Sequence, residues 1–243
     1  MERILRFGPV HVLFDPDRIE APAPEWFDSD WWQAHGAVTA RLGGRGEALA
    51  VESPAGPAVL RRYCRGGLIR HVSRDRYVYT GLPFSRPFRE WRVTRALFDA
   101  GLPVPEPLAA AVQRHGPLYS GALLTRTIES AQPLHRAGEL DADGWEALGR
   151  TIVRFAGAGL KHPDLNATNI LLDDQDQFWL LDFDRARLSP GPVDPGPMLA
   201  RLTRSLKKLG IAHDARALYA AARKAKKPET TKSTKNTKTG KPS

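Results

Sequence analysis

The sequence predicts a two-lobed α+β protein, in which a small antiparallel-sheet N-terminal lobe precedes a reduced, mainly helical C-terminal lobe. Three observations point there. Residues 1–126 contain short apolar runs broken by glycines, the pattern of strands and turns. Residues 127–222 contain longer stretches with helical periodicity. Between 162 and 184 a polar loop, two strand-like runs and a second polar loop follow one another. A chain of 243 residues suits one substantial domain or two small lobes sharing a cleft.

Val38-Thr39-Ala40, the run Gly43-Gly44-Arg45-Gly46 and Ala48-Leu49-Ala50-Val51 read as strand, turn and strand. A further strand covers Ala58 to Tyr63 and ends at Gly66-Gly67. Pro87 to Ala100 reads as an amphipathic helix. Pro87 is tolerated near its start, Phe88, Trp91, Leu97 and Phe98 supply apolar contacts, and Gly101 ends it. The segment Leu102-Pro103-Val104-Pro105-Glu106-Pro107 cannot be helical and leads into an extended stretch. Leu118-Tyr119 and Ala122 to Thr125 are expected to form a closing hairpin. In the second region Asp141 or Asp143 caps a helix from Trp145 to Gly157. Strands are expected at Ile170 to Leu172 and Phe178 to Leu181, with a turn over Asp173 to Gln177 between them. Helices are expected from Pro197 to Leu209 and from Asp214 to Ala225. Residues 223–243 form a basic tail. From Pro228 onward its Lys/Thr/Ser/Pro composition has nothing apolar to bury and is expected to be disordered.

Composition narrows the function classes. The hydrophobic (42%) and charged (26%) fractions are those of an ordinary soluble globular protein. No run approaches the roughly eighteen apolar residues that cross a bilayer. Met1 to Val10 lack the apolar stretch of a secretory leader, so a cytoplasmic location is expected. A single cysteine, Cys64, excludes an internal disulfide framework and a cysteine-based zinc site. His71, His115 and His135 are scattered without metal-ligand spacing. Net charge is +9, and Arg223 to Ser243 supply seven lysines and one arginine against one glutamate, so +9 less +7 leaves +2 for the rest. The basicity belongs to the tail. No strand interleaves basic and aromatic residues, so no specific nucleic-acid partner is expected.

The chemistry concentrates in two loops. Phosphoryl transfer needs an aspartate that accepts or orients the proton of the attacking hydroxyl, and oxygen ligands for Mg²⁺ on the nucleotide phosphates. His162, Asp164 and Asn169 have the H-x-D spacing with an asparagine five residues after the aspartate. Asp182 follows thirteen residues later, and a strand–turn–strand of that length returns it beside Asn169. This assigns Asp164 as catalytic base and Asn169 and Asp182 as metal ligands, in a protein-kinase-like fold that uses ATP and Mg²⁺. Upstream, Gly44, Arg45 and Gly46 stand where a phosphate-covering glycine loop belongs, and glycine lets backbone N–H groups approach phosphates. Arg61 stands where a kinase has its phosphate-binding lysine, with Arg62 as the alternative if the strand register moves by one residue. Glu90, early on the following helix, is placed to pair with that cation. Gly44, Arg45, Gly46, Arg61 and Glu90 are expected in cofactor binding.

The sequence resembles the bacterial 3-deoxy-D-manno-octulosonic acid (Kdo) kinases, relatives of the lipopolysaccharide core heptose kinases. The matching residues are Val59-Leu60-Arg61-Arg62-Tyr63-Cys64-Arg65-Gly66-Gly67, Gly101-Leu102-Pro103-Val104-Pro105-Glu106-Pro107, His162-Pro163-Asp164-Leu165-Asn166 and Asp182-Phe183-Asp184. They are spread over roughly residues 40–210. The resemblance implies ATP-dependent phosphorylation of the 4-hydroxyl of Kdo on a Kdo-bearing lipid A precursor, in lipopolysaccharide core biosynthesis. It also implies a peripheral position on the cytoplasmic face of the inner membrane. Arginine in place of lysine at position 61 belongs to the same pattern. Asp184 replaces the glycine of DFG and no A-P-E follows, which argues against a regulated activation segment.

Arg185, Arg187, Arg201 and Arg204 gather near the expected cleft and favour an anionic acceptor over the cationic acceptor of an aminoglycoside-type kinase. Another small-molecule or sugar kinase, of the heptose or aminoglycoside type, is the alternative on the same fold. Intact Asp164, Asn169 and Asp182 speak against a pseudokinase. The lysine-rich tail suits contact with an anionic membrane surface, where each basic residue gains roughly 1 kcal/mol.

Overall fold

The computed structural model describes residues 1–42, 48–63 and 76–226. The first hairpin joins β1 (Arg3–Phe7) to β2 (Val10–Phe14), and helix α1 (Ser29–Ala34) follows with Asp28 as its N-cap. Next come β3 (Val38–Leu42), β4 (Ala48–Ser53), β5 (Gly56–Arg62) and the short β6 (Tyr77–Val78). Helix α2 (Arg86–Asp99) precedes the long pair β7 (Pro107–His115) and β8 (Leu118–Arg126). These strands form one antiparallel sheet in the order β1-β2-β7-β8-β5-β4-β3, with β6 also beside β8.

Two expectations change here. The pair β1 and β2 was not foreseen, although Val10-His11-Val12-Leu13-Phe14 is strand-forming. Residues 118–126 form one strand paired along its length with β7, not the closing hairpin expected from the Ser120-Gly121 interruption. Gly121 stays within the strand. A Cβ there would lie 2.5 Å from Pro87 and 2.7 Å from the Ala111 carbonyl, so the glycine admits the start of α2 rather than a turn.

Alternation divides the sheet into two buried faces. Val12, Phe14, Ala58, Leu60, Ala122 and Leu124 pack with Trp26 and Trp32 on one face. Leu13, Tyr63, Ala110, Val112, Tyr119 and Leu123 pack with Phe88 and Trp91 of α2 on the other. Because Ala58 and Leu60 face the tryptophans, Arg61 and Tyr63 face α2. The register left open in the sequence is fixed by this alternation.

Beyond β8 the chain forms β9 (Gln132–Pro133), α3 (Ala142–Gly157), β10 (Leu160–Lys161), β11 (Ile170–Leu172), β12 (Phe178–Leu180) and β13 (Arg187–Leu188). Helices α4 (Gly196–Lys208), α5 (Ala215–Leu218) and α6 (Ala220–Lys226) follow. Asp141, not Asp143, caps α3, accepting from the Gly144 N–H at 2.8 Å. The helix expected over 214–225 is divided at Tyr219 into α5 and α6. A second core collects Trp145, Leu148, Ile152 and Phe155 of α3 with Leu165, Ile170, Leu180, Phe183 and the apolar side of α4. Leu97 of α2 joins this core while Phe88 and Trp91 sit on the sheet. The chain is thus a mixed α and antiparallel-β fold in which α2 touches both cores. Among the described residues no helix is long and apolar enough to cross a membrane.

Candidate active site

Arg61 projects from β5 toward α2 and meets two carboxylates at once. Its Nη2 donates to Glu90 Oε1 at 2.5 Å and its Nη1 to Asp182 Oδ1 at 3.2 Å. Glu90, 2% exposed, also accepts from the Tyr63 hydroxyl and from the Phe183 N–H at 3.0 Å. A single buried carboxylate therefore ties β5, α2 and the segment after β12. Burial pushes the Glu90 carboxyl above its ordinary range against the pull of Arg61. Burial also pushes the Tyr63 phenol up, helped by the Glu90 charge. Burial works against the Arg61 cation, but Glu90, Tyr63 and Asp182 together outweigh it and hold the guanidinium above its usual range.

The two polar loops meet as their spacing required. β11 and β12 pair in register from Ile170 with Leu180 to Leu172 with Phe178, and the Leu181 N–H donates to the Asn169 carbonyl at 2.9 Å. Asn169 Nδ2 then lies 3.5 Å from Asp182 Oδ2. Asp182 has φ +61, a left-handed conformation that aspartate tolerates better than most residues. Asn166 braces the first loop. Its Nδ2 donates to the Asp164 carbonyl at 3.0 Å and its Oδ1 accepts from the Thr168 N–H at 3.1 Å. Ser205 Oγ of α4 accepts from the Ala167 N–H at 3.1 Å. Asp164 is 40% exposed, and its Oδ2 accepts from Arg185 Nη1 at 2.9 Å.

His162 is 1% exposed, packs against Phe183 with ring centroids 5.6 Å apart, and lies 3.5 Å from the Leu181 carbonyl through Nε2. Burial lowers its pKa and favours the neutral ring. Its part is to pack the loop from beneath. One residue past Phe183, Asp184 receives both Nε and Nη2 of Arg86 from the first turn of α2. Arg86 in turn lies over the Tyr77 and Tyr63 rings.

Of the residues singled out in the sequence, Arg61, Glu90, Asp182 and Asn169 form one connected cluster, and Asp164 lies in the braced loop that leads to Asn169. Arg62 points to the opposite face of the sheet. Gly44, Arg45 and Gly46 lie outside the described residues, as do Cys64 to Gly67 of the resemblance and the tail beyond Lys226. Sequence reasoning missed Tyr63 and Arg86. Tyr63 was legible as the same-face neighbour two residues after Arg61. Arg86 carried no local signal, because its partner is 98 residues away.

Asn169 and Asp182 supply an amide and a carboxylate side chain within one hydrogen-bond length, the hard oxygen donors that suit Mg²⁺ once the amide is turned oxygen-inward. Among the described residues no group of three or more His, Cys, Asp or Glu side chains forms a metal cluster. A magnesium ion that kept water and phosphate oxygens would need only these two residues.

Comparison with known proteins gives a consistent match. The sequence model described as the lipopolysaccharide kinase (Kdo/WaaP) family matches residues 29–221. A protein named 3-deoxy-D-manno-octulosonic acid kinase from Xylella fastidiosa is 43% identical over 211 residues, covering 86% of this chain and 84% of that protein. Proteins of the same name from Xanthomonas oryzae and Stenotrophomonas maltophilia are 44% and 41% identical over 201 residues, 82% of this chain and 80% of each.

Proposed function

The chain belongs to the lipopolysaccharide kinase (Kdo/WaaP) family, and from that premise we propose that it phosphorylates the 4-hydroxyl of Kdo on a lipid A precursor. Phosphotransfer from ATP to a hydroxyl acceptor follows from the family, and Kdo as the acceptor from the names of the relatives. The observation that carries the reading for this chain is the Arg61 guanidinium, which joins Glu90 to Asp182 while Asp182 faces Asn169. That linkage is what a two-lobed kinase cleft requires, with a phosphate-binding cation held by a helix carboxylate beside the metal-binding loop.

In this reading Asp164 accepts the proton of the attacking hydroxyl while the new oxygen–phosphorus bond forms. Its Oδ1 has no hydrogen-bond partner among the described residues and is the oxygen available for that proton. Arg61 steadies the donor phosphates, and Glu90, buried and triply bonded, fixes the direction of the guanidinium. Asn169 and Asp182 hold Mg²⁺, which when bound neutralises phosphate charge. Gly44, Arg45 and Gly46 would cover the phosphates, and the nucleotide base would lie near Leu124 to Glu129. The lysine-rich tail supports peripheral contact with an anionic membrane on the cytoplasmic face, where the lipid acceptor resides.

The test is transfer of labelled γ-phosphate to a Kdo-bearing lipid A precursor in anionic vesicles, with and without residues 224–243. Asp164→Asn should reduce transfer at least ~100-fold with the melting temperature preserved. Equal incorporation by both proteins would remove Asp164 from the chemistry, and equal vesicle binding by the truncated chain would remove the tail from membrane contact.

A further inference from the structure

The contact between Arg185 and Asp164 is not explained by stability. Arg185 is 71% exposed and Asp164 40%, and an exposed ion pair of this kind adds little to folding. The backbone at Arg185 is nonetheless firmly placed. Asp184 is held by Arg86, and the Ala186 N–H donates to the Phe183 carbonyl at 2.9 Å. Arg185 therefore stands on a fixed base beside the candidate catalytic oxygen, with its guanidinium open to solvent. Only Nη1 has a partner among the described residues, so the remaining donors of a five-donor fork are unused.

A second observation adds positive charge next in the chain to the same loop. β10 and β13 pair Lys161 directly opposite Arg187. Both are exposed, and neither forms an ion pair among the described residues. Like charges placed directly across an antiparallel pair repel each other. Lys161 immediately precedes His162 of the catalytic loop and Arg187 lies two residues beyond Arg185, so three cations border the loop that carries Asp164.

From these contacts we infer that Arg185, backed by the Lys161–Arg187 pair, binds the carboxylate of the acceptor and makes the enzyme specific for a sugar acid. The inference rests on the proposed Kdo acceptor and names the residue that reads it. The relatives' acceptor is by name an octulosonic acid, so its carboxylate and its hydroxyls belong to one small molecule. A planar guanidinium matches a carboxylate in a two-point contact that lysine cannot make. With one guanidinium nitrogen on Asp164 Oδ2 and the others on the acceptor, Arg185 sets the distance between the acceptor and the base. Asp164 Oδ1 remains open to the hydroxyl.

The experiment measures initial rates of the full chain on the Kdo-bearing lipid A precursor and on the same acceptor with its carboxyl converted to a methyl ester. Wild type, Arg185→Gln, Arg185→Lys and Lys161→Gln/Arg187→Gln are compared. Arg185→Gln should raise the acceptor KM about 10- to 100-fold on the acid, the range for losing a charge-assisted hydrogen bond, with the KM for ATP unchanged. Wild type should show a rise of similar size on the ester, where Arg185→Gln adds no further loss. Arg185→Lys and the double variant should fall between wild type and Arg185→Gln. Three results would overturn the inference: an unchanged acceptor KM in Arg185→Gln, a raised KM for ATP, or an equal fall in kcat on both acceptors. The last two would assign Arg185 to the transferred phosphate. Wild type that phosphorylates the ester as well as the acid removes the carboxylate reading while leaving Kdo as acceptor. Wild type inactive on both removes the proposed function and this inference with it.

Discussion

Among the described residues Glu90, at 2% exposure, accepts hydrogen bonds from Arg61, Tyr63 and the Phe183 N–H, and of these only Arg61 brings a positive charge to it. Arg61→Met keeps most of the volume and removes that charge. Breaking a buried pair by deleting one partner costs about 3–5 kcal/mol, and the 28% exposure of Arg61 places this one near the lower end. The loss should depend on pH in a defined direction. Burial already holds the Glu90 carboxyl above its ordinary 4.5, and without Arg61 it rises further. A carboxyl whose folded pKa lies above its unfolded one binds more protons when folded. Stability then falls as pH rises through that interval and recovers below it. Urea denaturation of Arg61→Met should accordingly show a smaller deficit at pH 5 than at pH 8. A deficit independent of pH would mean that Glu90 is not left as an uncompensated charge. The approach of Asp182 to Asn169 was legible in the sequence because a short hairpin of fixed length returns one beside the other. Tyr63, Arg86 and the Arg185 contact were not, since each gains its meaning from a partner that folding brings close.

Helix α2 carries Glu90 and Arg86 to the site, and its position on the sheet depends on one residue of β8. Gly121 lets Pro87 and the Ala111 carbonyl approach to distances that a Cβ would violate, at 2.5 Å and 2.7 Å. Gly121→Ala must push the first turn of α2 outward, with Arg86 at its first position and Glu90 one turn further on. Overpacking of this kind costs about 1–3 kcal/mol. Because the displaced turn holds both Asp184 and Arg61 in place, kcat should fall well beyond what the stability loss alone produces at a temperature where the variant is folded. Full kcat with a lowered melting temperature would show that the helix start can move without disturbing the site. The same glycine explains the main error about the strands. Ser120-Gly121 reads as a turn from local preference, whereas the glycine is there for a helix 34 residues earlier in the chain. The β11–β12 unit and α3 were legible because their apolar periodicity and caps are local. The β1–β2 pair was missed because its first strand is largely exposed and weakly patterned.

Across the whole molecule, the sheet with its two buried faces and the helical core behind the loops are joined near the site by charged side chains. Arg61 reaches Asp182 from β5, and Arg86 reaches Asp184 from α2. Apolar burial stabilises each core, but the relation of the two at the site depends on carboxylates whose positions a bound nucleotide and metal would complete. A ligand that binds only the folded chain adds about 2.7 kcal/mol at a hundred times its Kd. For a chain of this length each kcal/mol corresponds to about 2–4 °C, so saturating ATP with Mg²⁺ should raise the melting temperature by roughly 5–10 °C. If Asn169 and Asp182 hold the metal, ATP with a chelator should give a smaller rise. In Asp182→Asn the difference between magnesium and chelator should vanish even though nucleotide alone still stabilises. Thermal unfolding followed by fluorescence reads all four conditions without requiring an acceptor, so the result does not depend on which hydroxyl is phosphorylated. Magnesium dependence that survived intact in Asp182→Asn would place the metal elsewhere and leave Asp182 as a partner of Arg61 alone.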